Sequence, residues 1–250
     1  MSRLRPLIIF AGLIALWQLV VWASGAAPYI LPGPDRVALA LVARAGELAR
    51  HGAVTAAEIL LGLACGTLLG CASALLLAAA RPARLWLLPV LVVSQAIPVF
   101  ALAPILVLWL GYGLASKVAM ATLIIYFPVT AAFFDGLRRT EPGWLDLART
   151  MGGSRLAVLR QIRVPAALPA LASGLRVAAA VAPIGAVVGE WVGSSAGLGY
   201  LMLHANARLQ VDVMFAALFV LALLAVALYF AIDRGLRRLT PWQADEAERF

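Results

Sequence analysis

Apolar and polar positions along this chain are sorted into blocks rather than alternating residue by residue. Six apolar blocks run approximately over 6–23, 56–80, 85–110, 115–134, 166–192 and 213–232. A helix needs about 20 residues to cross the hydrocarbon core of a bilayer, and each block is long enough. None shows the two-residue alternation of a barrel strand. The pattern predicts an all-α integral membrane protein: six transmembrane helices in a single domain over residues 1–250. Arg3 and Arg5 before the first block suggest a signal peptide. However, its apolar run is longer than a signal core, and no A-x-A site leads into a soluble domain, so it is read as a span.

The polar positions between blocks set the orientation. With the N-terminus in the cytoplasm, the inside segments hold Arg3, Arg5, Arg81, Arg84, Arg138, Arg139, Arg149, Arg155, Arg160, Arg163, Arg234, Arg237, Arg238 and Arg249. The outside segments and span ends hold Arg36, Arg44, Arg50, Lys117 and Arg208. The positive-inside rule then puts both termini in the cytoplasm. Arg176 falls inside the fifth block, either snorkelling to the inner surface or pairing with a carboxylate such as Asp135. The largest outside piece, Tyr29–Gly52, predicts a short surface helix capped by Asp35, with Val37, Leu41 and Leu48 as its apolar positions. Residues 244–250 form a polar tail.

Composition narrows the class. Of 250 residues, 64% are hydrophobic and 13% charged, against about 25% charged in soluble domains. A water-soluble fold is excluded. The net charge of +8 lies between apolar blocks, so it reads as topology rather than nucleic-acid binding. Cys65 and Cys71 share one apolar block and suit helix packing, not zinc or redox chemistry. Gly62, Gly66, Gly70 and Ala74 recur every four residues, a small-residue face that lets another helix, or a second copy, approach closely.

The longest inside segment is 135–165. Thr140 is placed to cap a helix whose apolar face is Trp144, Leu147, Ala148 and Met151. Gly152 and Gly153 end it, since glycine accepts a left-handed cap. Ser154 caps a second helix carrying Leu156, Leu159 and Ile162, and Pro165 marks the return to the membrane. Residue chemistry leaves two readings open: an interfacial helix pair whose arginines meet anionic lipid, or an apolar face docking on a cytoplasmic partner.

The spacing Asp146-Leu147-Ala148, three residues, Gly152, nine residues, Ile162-x-Val164-Pro165 resembles the EAA motif of bacterial ABC importer permeases. Asp146 stands for the usual Glu, Leu147 for the first Ala and Val164 for Leu; Ala148, Gly152, Ile162 and Pro165 match. The stretches "SQAIPVFALAPILVLWLGYG", "GEWVGSSAGLGYLM" and "LPGPDRV" are similar to the nitrate/sulfonate/taurine-type branch. "WLDLARTMGGS" is most similar to members for the pyrimidine precursor of thiamine. The resemblance implies a type I importer permease in the bacterial inner membrane without a cofactor. Its partners would be a second permease copy, two cytoplasmic ABC ATPase subunits and a periplasmic substrate-binding protein. Asp146, Leu147, Ala148, Gly152, Gly153, Ile162, Val164 and Pro165 would then couple the ATPase to alternating access.

No G-x-x-x-x-G-K-[ST] loop is present, so ATP hydrolysis is expected from a partner subunit. Gly193–Gly197 fits G-x-S-x-G around Ser195, but that motif works on a strand-to-helix turn, and here it follows a span. Polar residues within spans are pathway candidates. Ser94 and Gln95 precede Pro98, and Pro98 and Pro104 are both expected to open the helix and free carbonyls towards a cavity; Gln95 otherwise hydrogen-bonds between helices. Glu190 at the outer end of the fifth block either lines the outer gate or holds the Gly193–Gly199 loop, or serves structurally by accepting backbone N–H groups or reaching the interface. Glu58 is read as interfacial. A secondary transporter driven by an ion gradient is the rival reading, and it needs a coupling-ion site near the midplane.

Overall fold

The computed structural model describes residues 5–242. The polar tail 244–250 lies outside them, as do Arg3 and Arg249. Among the described residues the secondary structure is helical. Four helices are long and apolar enough to cross a membrane: Ala45–Ala79, Leu114–Arg138, Arg155–Gly193 and Val211–Leu239. The first block forms α1 (Arg5–Ser24), whose apolar stretch Ile8–Ser24 is shorter than these spans.

The third block is not one straight helix. It divides into α4 (Arg81–Ser94) and α5 (Val99–Leu110), which meet at 100°. Pro98 has no N–H for the carbonyl four residues back and drives Ile97 away from helical geometry. The chain therefore leaves the helix at Gln95 and re-enters after Pro98, whose ψ of 112° is extended. Pro104, also expected to open the helix, instead sits inside α5 without breaking it, as Pro89 does in α4.

The core is a three-helix layer of α3 (Ala45–Ala79), α6 (Leu114–Arg138) and α9 (Val164–Gly193), with α6 packed along both neighbours. Ile59, Ala121, Ile125, Val129, Ala178, Ala182 and Ala186 fill its centre. Small residues make the close approach. A Cβ on Gly66 would lie 2.8 Å from Ile125 Cβ, one on Gly70 2.8 Å from Val129 Cβ, and one on Gly185 2.7 Å from Ala121 Cα. The Gly62–Ala74 stripe is thus occupied by α6 of the same chain, so it is not free for a second copy.

At one end, α2 (Pro34–Ala43) and α10 (Leu198–Ala207) pack with α11 (Val211–Leu239) around Val37, Leu48, Leu198, Leu201, Val213 and Ala216. Val37 and Leu48 are core residues, and Leu48 belongs to α3 rather than to a surface helix. Gly33, not Asp35, is the N-cap of α2, because Pro34 occupies the first helical position, where its missing N–H costs nothing. At the arginine-rich end, Ala74, Leu77, Phe133, Phe134, Leu137 and Ala167 close the core. Arg176 of α9 pairs across to Asp233 of α11 (Nε–Oδ1 2.7 Å), not to Asp135, and Asp233 also meets Arg237 at 2.9 Å.

Candidate functional site: an apolar groove at the arginine-rich end

Pro142–Thr150 forms α7, and Arg155–Val158 begins the next helix as α8. Glu141, not Thr140, is the N-cap of α7. Thr140 instead donates its hydroxyl to Leu137 O at 3.2 Å, at the end of α6. Two glycines make the turn for different reasons. Gly152 has φ +76° with nothing near its absent Cβ, so backbone conformation alone selects it. At Gly153 a Cβ would lie 2.8 Å from Ala148 O, the carbonyl that its own N–H caps. Ser154 then caps α8, accepting from Ala157 N at 3.2 Å.

Beyond α8 the helix does not stop. Leu159–Arg163 widens into one π-helical turn and runs directly into α9, so Arg155–Gly193 is one helix of 39 residues. Pro165 therefore lies inside a continuous helix rather than at a junction. It cannot donate to the carbonyl of Gln161, and the wide turn before it relieves the clash that its ring would otherwise make. Arg163 donates from Nε and Nη2 to Leu137 O at 3.1 and 2.9 Å, tying this turn to the last turn of α6.

Between α7 and this helix lies an open groove of about 760 Å³. Leu147, Ala148, Met151, Gly153, Ile162 and Pro165 line it, with Trp144 on one side and Trp242 arriving from beyond α11. Its rim is unpaired apolar surface: Leu147 is 61% and Met151 79% exposed. Val164 instead packs toward the core beneath. Asp146 faces outward and pairs with Arg149 at 2.8 Å, both side chains being mostly exposed, where such a pair adds under about 1 kcal/mol. Trp242 escaped the sequence reading because no helical spacing links it to the segment it joins.

The other candidates lie elsewhere. Glu190 is buried at the opposite end. Its Oε1 accepts from Thr55 Oγ1 at 2.6 Å, and its Oε2 from the N–H groups of Gly199 and Tyr200. Thr55 accepts from Leu198 N at 2.8 Å, and His51 Nδ1 from Gly197 N at 3.0 Å. Glu190 thus holds the α9–α10 loop. That loop joins two helices, so Ser195 lacks the strand a nucleophile elbow requires. Glu58 is not interfacial: it is 1% exposed and faces Glu190 and Lys117. Lys117 is buried too, donating from Nζ to Tyr112 O and Gly113 O at 2.8 and 3.0 Å. Ser94 and Gln95 meet at the α4–α5 break with a third residue, Tyr126 of α6.

Comparison with known proteins is consistent from end to end. Residues 66–244 match the family described as binding-protein-dependent transport system inner membrane component. The chain is 59% identical to a probable ABC transporter permease protein of Haemophilus influenzae, covering 94% of this chain and 96% of that one. It is 37% identical to the formylaminopyrimidine transport permease of Halalkalibacterium halodurans, covering 97% of each. It is 29% identical to the taurine transport system permease of Escherichia coli, covering 94% and 88%. Among solved structures, an inward-facing methionine ABC transporter superposes with TM-score 0.66 at 22% identity, over 78% of this chain and 96% of that one.

Proposed function

The chain belongs to the binding-protein-dependent transport system inner membrane component family, a multi-pass ABC transporter permease, and from that premise we propose how it works. It is the transmembrane subunit of an ATP-driven importer in the bacterial inner membrane. Its arginine-rich end and both termini face the cytoplasm. Two copies line one pathway, two ABC ATPase subunits dock beneath them, and a periplasmic binding protein delivers a small polar solute. The pyrimidine precursor of thiamine is the first candidate solute, supported by the relative at 37% identity. Family membership supports this reading over the ion-driven rival.

The observation that carries this reading is the groove. An apolar cleft at the arginine-rich end, with Leu147 and Met151 exposed, is unpartnered surface next to water and fits a docked subunit. Asp146, Leu147, Ala148, Gly152, Gly153, Ile162, Val164 and Pro165 form or brace it. ATP binding closes the ATPase pair, the α7–α8 turn moves with it, and the continuous helix from Arg155 carries the motion across the membrane. Ser94, Gln95 and Pro98 line the pathway at the helix break, and Glu190 sets the outer gate by holding the loop after α9.

The test is co-purification. Leu147→Asp and Met151→Asp place charge in the groove without touching the core. The ATPase is expected to dissociate from both variants, while the permease keeps its melting temperature in detergent. An ATPase that stays bound to both would refute the docking assignment.

A further inference from the structure

We propose that Gln95, oriented by Tyr126 and Ser94, is a contact site for an uncharged solute that presents adjacent hydrogen-bond donor and acceptor groups, of the aminopyrimidine or carboxamide type. The inference rests on the pathway reading above and adds the residue, its partner and the solute chemistry.

The hydrogen bonds at the break have a defined direction. Ser94 Oγ donates to Leu91 O at 2.7 Å, which uses its only proton. The 2.6 Å contact between Ser94 Oγ and Tyr126 Oη is therefore donated by tyrosine. Tyr126 Oη in turn accepts from Gln95 Nε2 at 3.3 Å, with Ser94 Oγ at the same distance. Those two oxygens lie 2.6 Å apart, so both fall in the direction of a single N–H, and one amide proton is shared between them. The second proton and both lone pairs of Oε1 remain, and among the described residues nothing donates to Oε1. Gln95 is exposed, so its amide presents a donor and an acceptor side by side. That edge pairs in two-point fashion with an amino group next to a ring nitrogen, as a Gln amide does with adenine.

Depth and charge narrow the ligand. Tyr126 is the central residue of α6 (Leu114–Arg138), so the amide sits near mid-membrane. A half-satisfied amide facing lipid there is costly, whereas one facing a water-filled passage is not. Between Arg84 and Lys117 the sequence has no charged residue, and Lys117 Nζ is already committed to two carbonyls. A sulfonate or carboxylate would find no cation at this site. A neutral solute loses only hydrogen bonds to water and recovers them on the amide.

The test uses the assembled transporter in proteoliposomes, with Cys65→Ala and Cys71→Ala removing the native thiols. Ala96→Cys, an exposed neighbour that keeps the Gln95 amide, is labelled with a water-soluble thiosulfonate, and Leu68→Cys, on an exposed apolar face of α3, is the lipid control. Labelling at Ala96→Cys is expected to be at least about tenfold faster, as water access to a helix break requires. Formylaminopyrimidine at saturating concentration should slow it severalfold, and taurine should not. Labelling no faster than the control overturns the site. Fast labelling without selective protection by formylaminopyrimidine overturns the solute class and leaves the pathway reading intact. Failure of the permease reading itself would appear separately, as no ATPase co-purifying with the unsubstituted chain. Tyr126→Phe gives a second readout. It removes the donor to Ser94 and the acceptor for Gln95, so the amide loses its orientation and the solute the equivalent of one hydrogen bond: formylaminopyrimidine uptake should fall about fivefold while ATPase association is kept. Unchanged uptake in Tyr126→Phe overturns the positioning role.

Discussion

Glu190 satisfies three donors with two oxygens: Thr55 Oγ1 on one, and the N–H groups of Gly199 and Tyr200 on the other. All three are buried or nearly so, so removing the carboxylate leaves polar groups with no water to turn to. Glu190→Ala is expected to destabilise the permease by on the order of 3 kcal/mol, and Glu190→Gln by about half that, since one acceptor oxygen is kept. Melting in detergent reads both. Uptake at the wild-type rate by both variants, with intact assembly, would leave Glu190 a structural role only. Gly152 poses a cleaner question, because nothing surrounds its missing side chain. Its φ of +76° penalises L-residues by about 1–2 kcal/mol, and Asn least. Gly152→Val should therefore abolish ATPase association and Gly152→Asn should keep most of it. Equal loss in both would mean that the ATPase reads the glycine surface itself rather than the turn.

Among helices, the decisive contact is the one between α3 and α6. Gly66→Ala would drive a Cβ to 2.6 Å from Ile125 Cγ2, an overpacking that costs typically 1–3 kcal/mol. Gly46→Ala lies in the same helix with open space around it and should be neutral or stabilising by about 0.5–1 kcal/mol. A lower melting temperature for Gly66→Ala than for Gly46→Ala is expected, and the reverse order would place the tight helix contact elsewhere. The small-residue stripe was legible as spacing, but spacing does not say which helix fills it, and α6 rather than a second copy does. The Pro98 break was legible because proline acts locally. Pro104 carries the same chemistry but sits inside α5, where packing on α6 and α9 holds the helix together. The α7–α8 turn could be read from glycine and serine chemistry. The buried cluster could not: Thr55 and Glu190 are 135 positions apart, and burial turned Glu58 and Lys117 from expected surface residues into core ones.

Across the whole molecule, the groove and the Glu190 loop are joined by one element. Arg155–Gly193 has 39 residues, about 58 Å of helix at 1.5 Å per residue. It begins beside Leu147 and Met151 and ends three residues past Glu190. A rigid body of that length transmits displacement only if it is held to the core, and at the arginine-rich end the hold is specific. Arg163 gives two N–H groups to Leu137 O in the last turn of α6, where unpaired carbonyls and the helix dipole both favour a cation. Arg163→Leu removes that hold without entering the groove, so the ATPase should remain bound. The π-helical turn would then absorb part of the motion instead of passing it to α9. In proteoliposomes the expected result is ATP hydrolysis near the wild-type rate with uptake reduced severalfold, so that more ATP is spent per solute moved. Arg163→Lys keeps the charge but offers no planar pair of donors, and it should fall between. If hydrolysis and uptake fell together in Arg163→Leu, Arg163 would be part of the docking surface and the α9 lever would lose its anchor at this end.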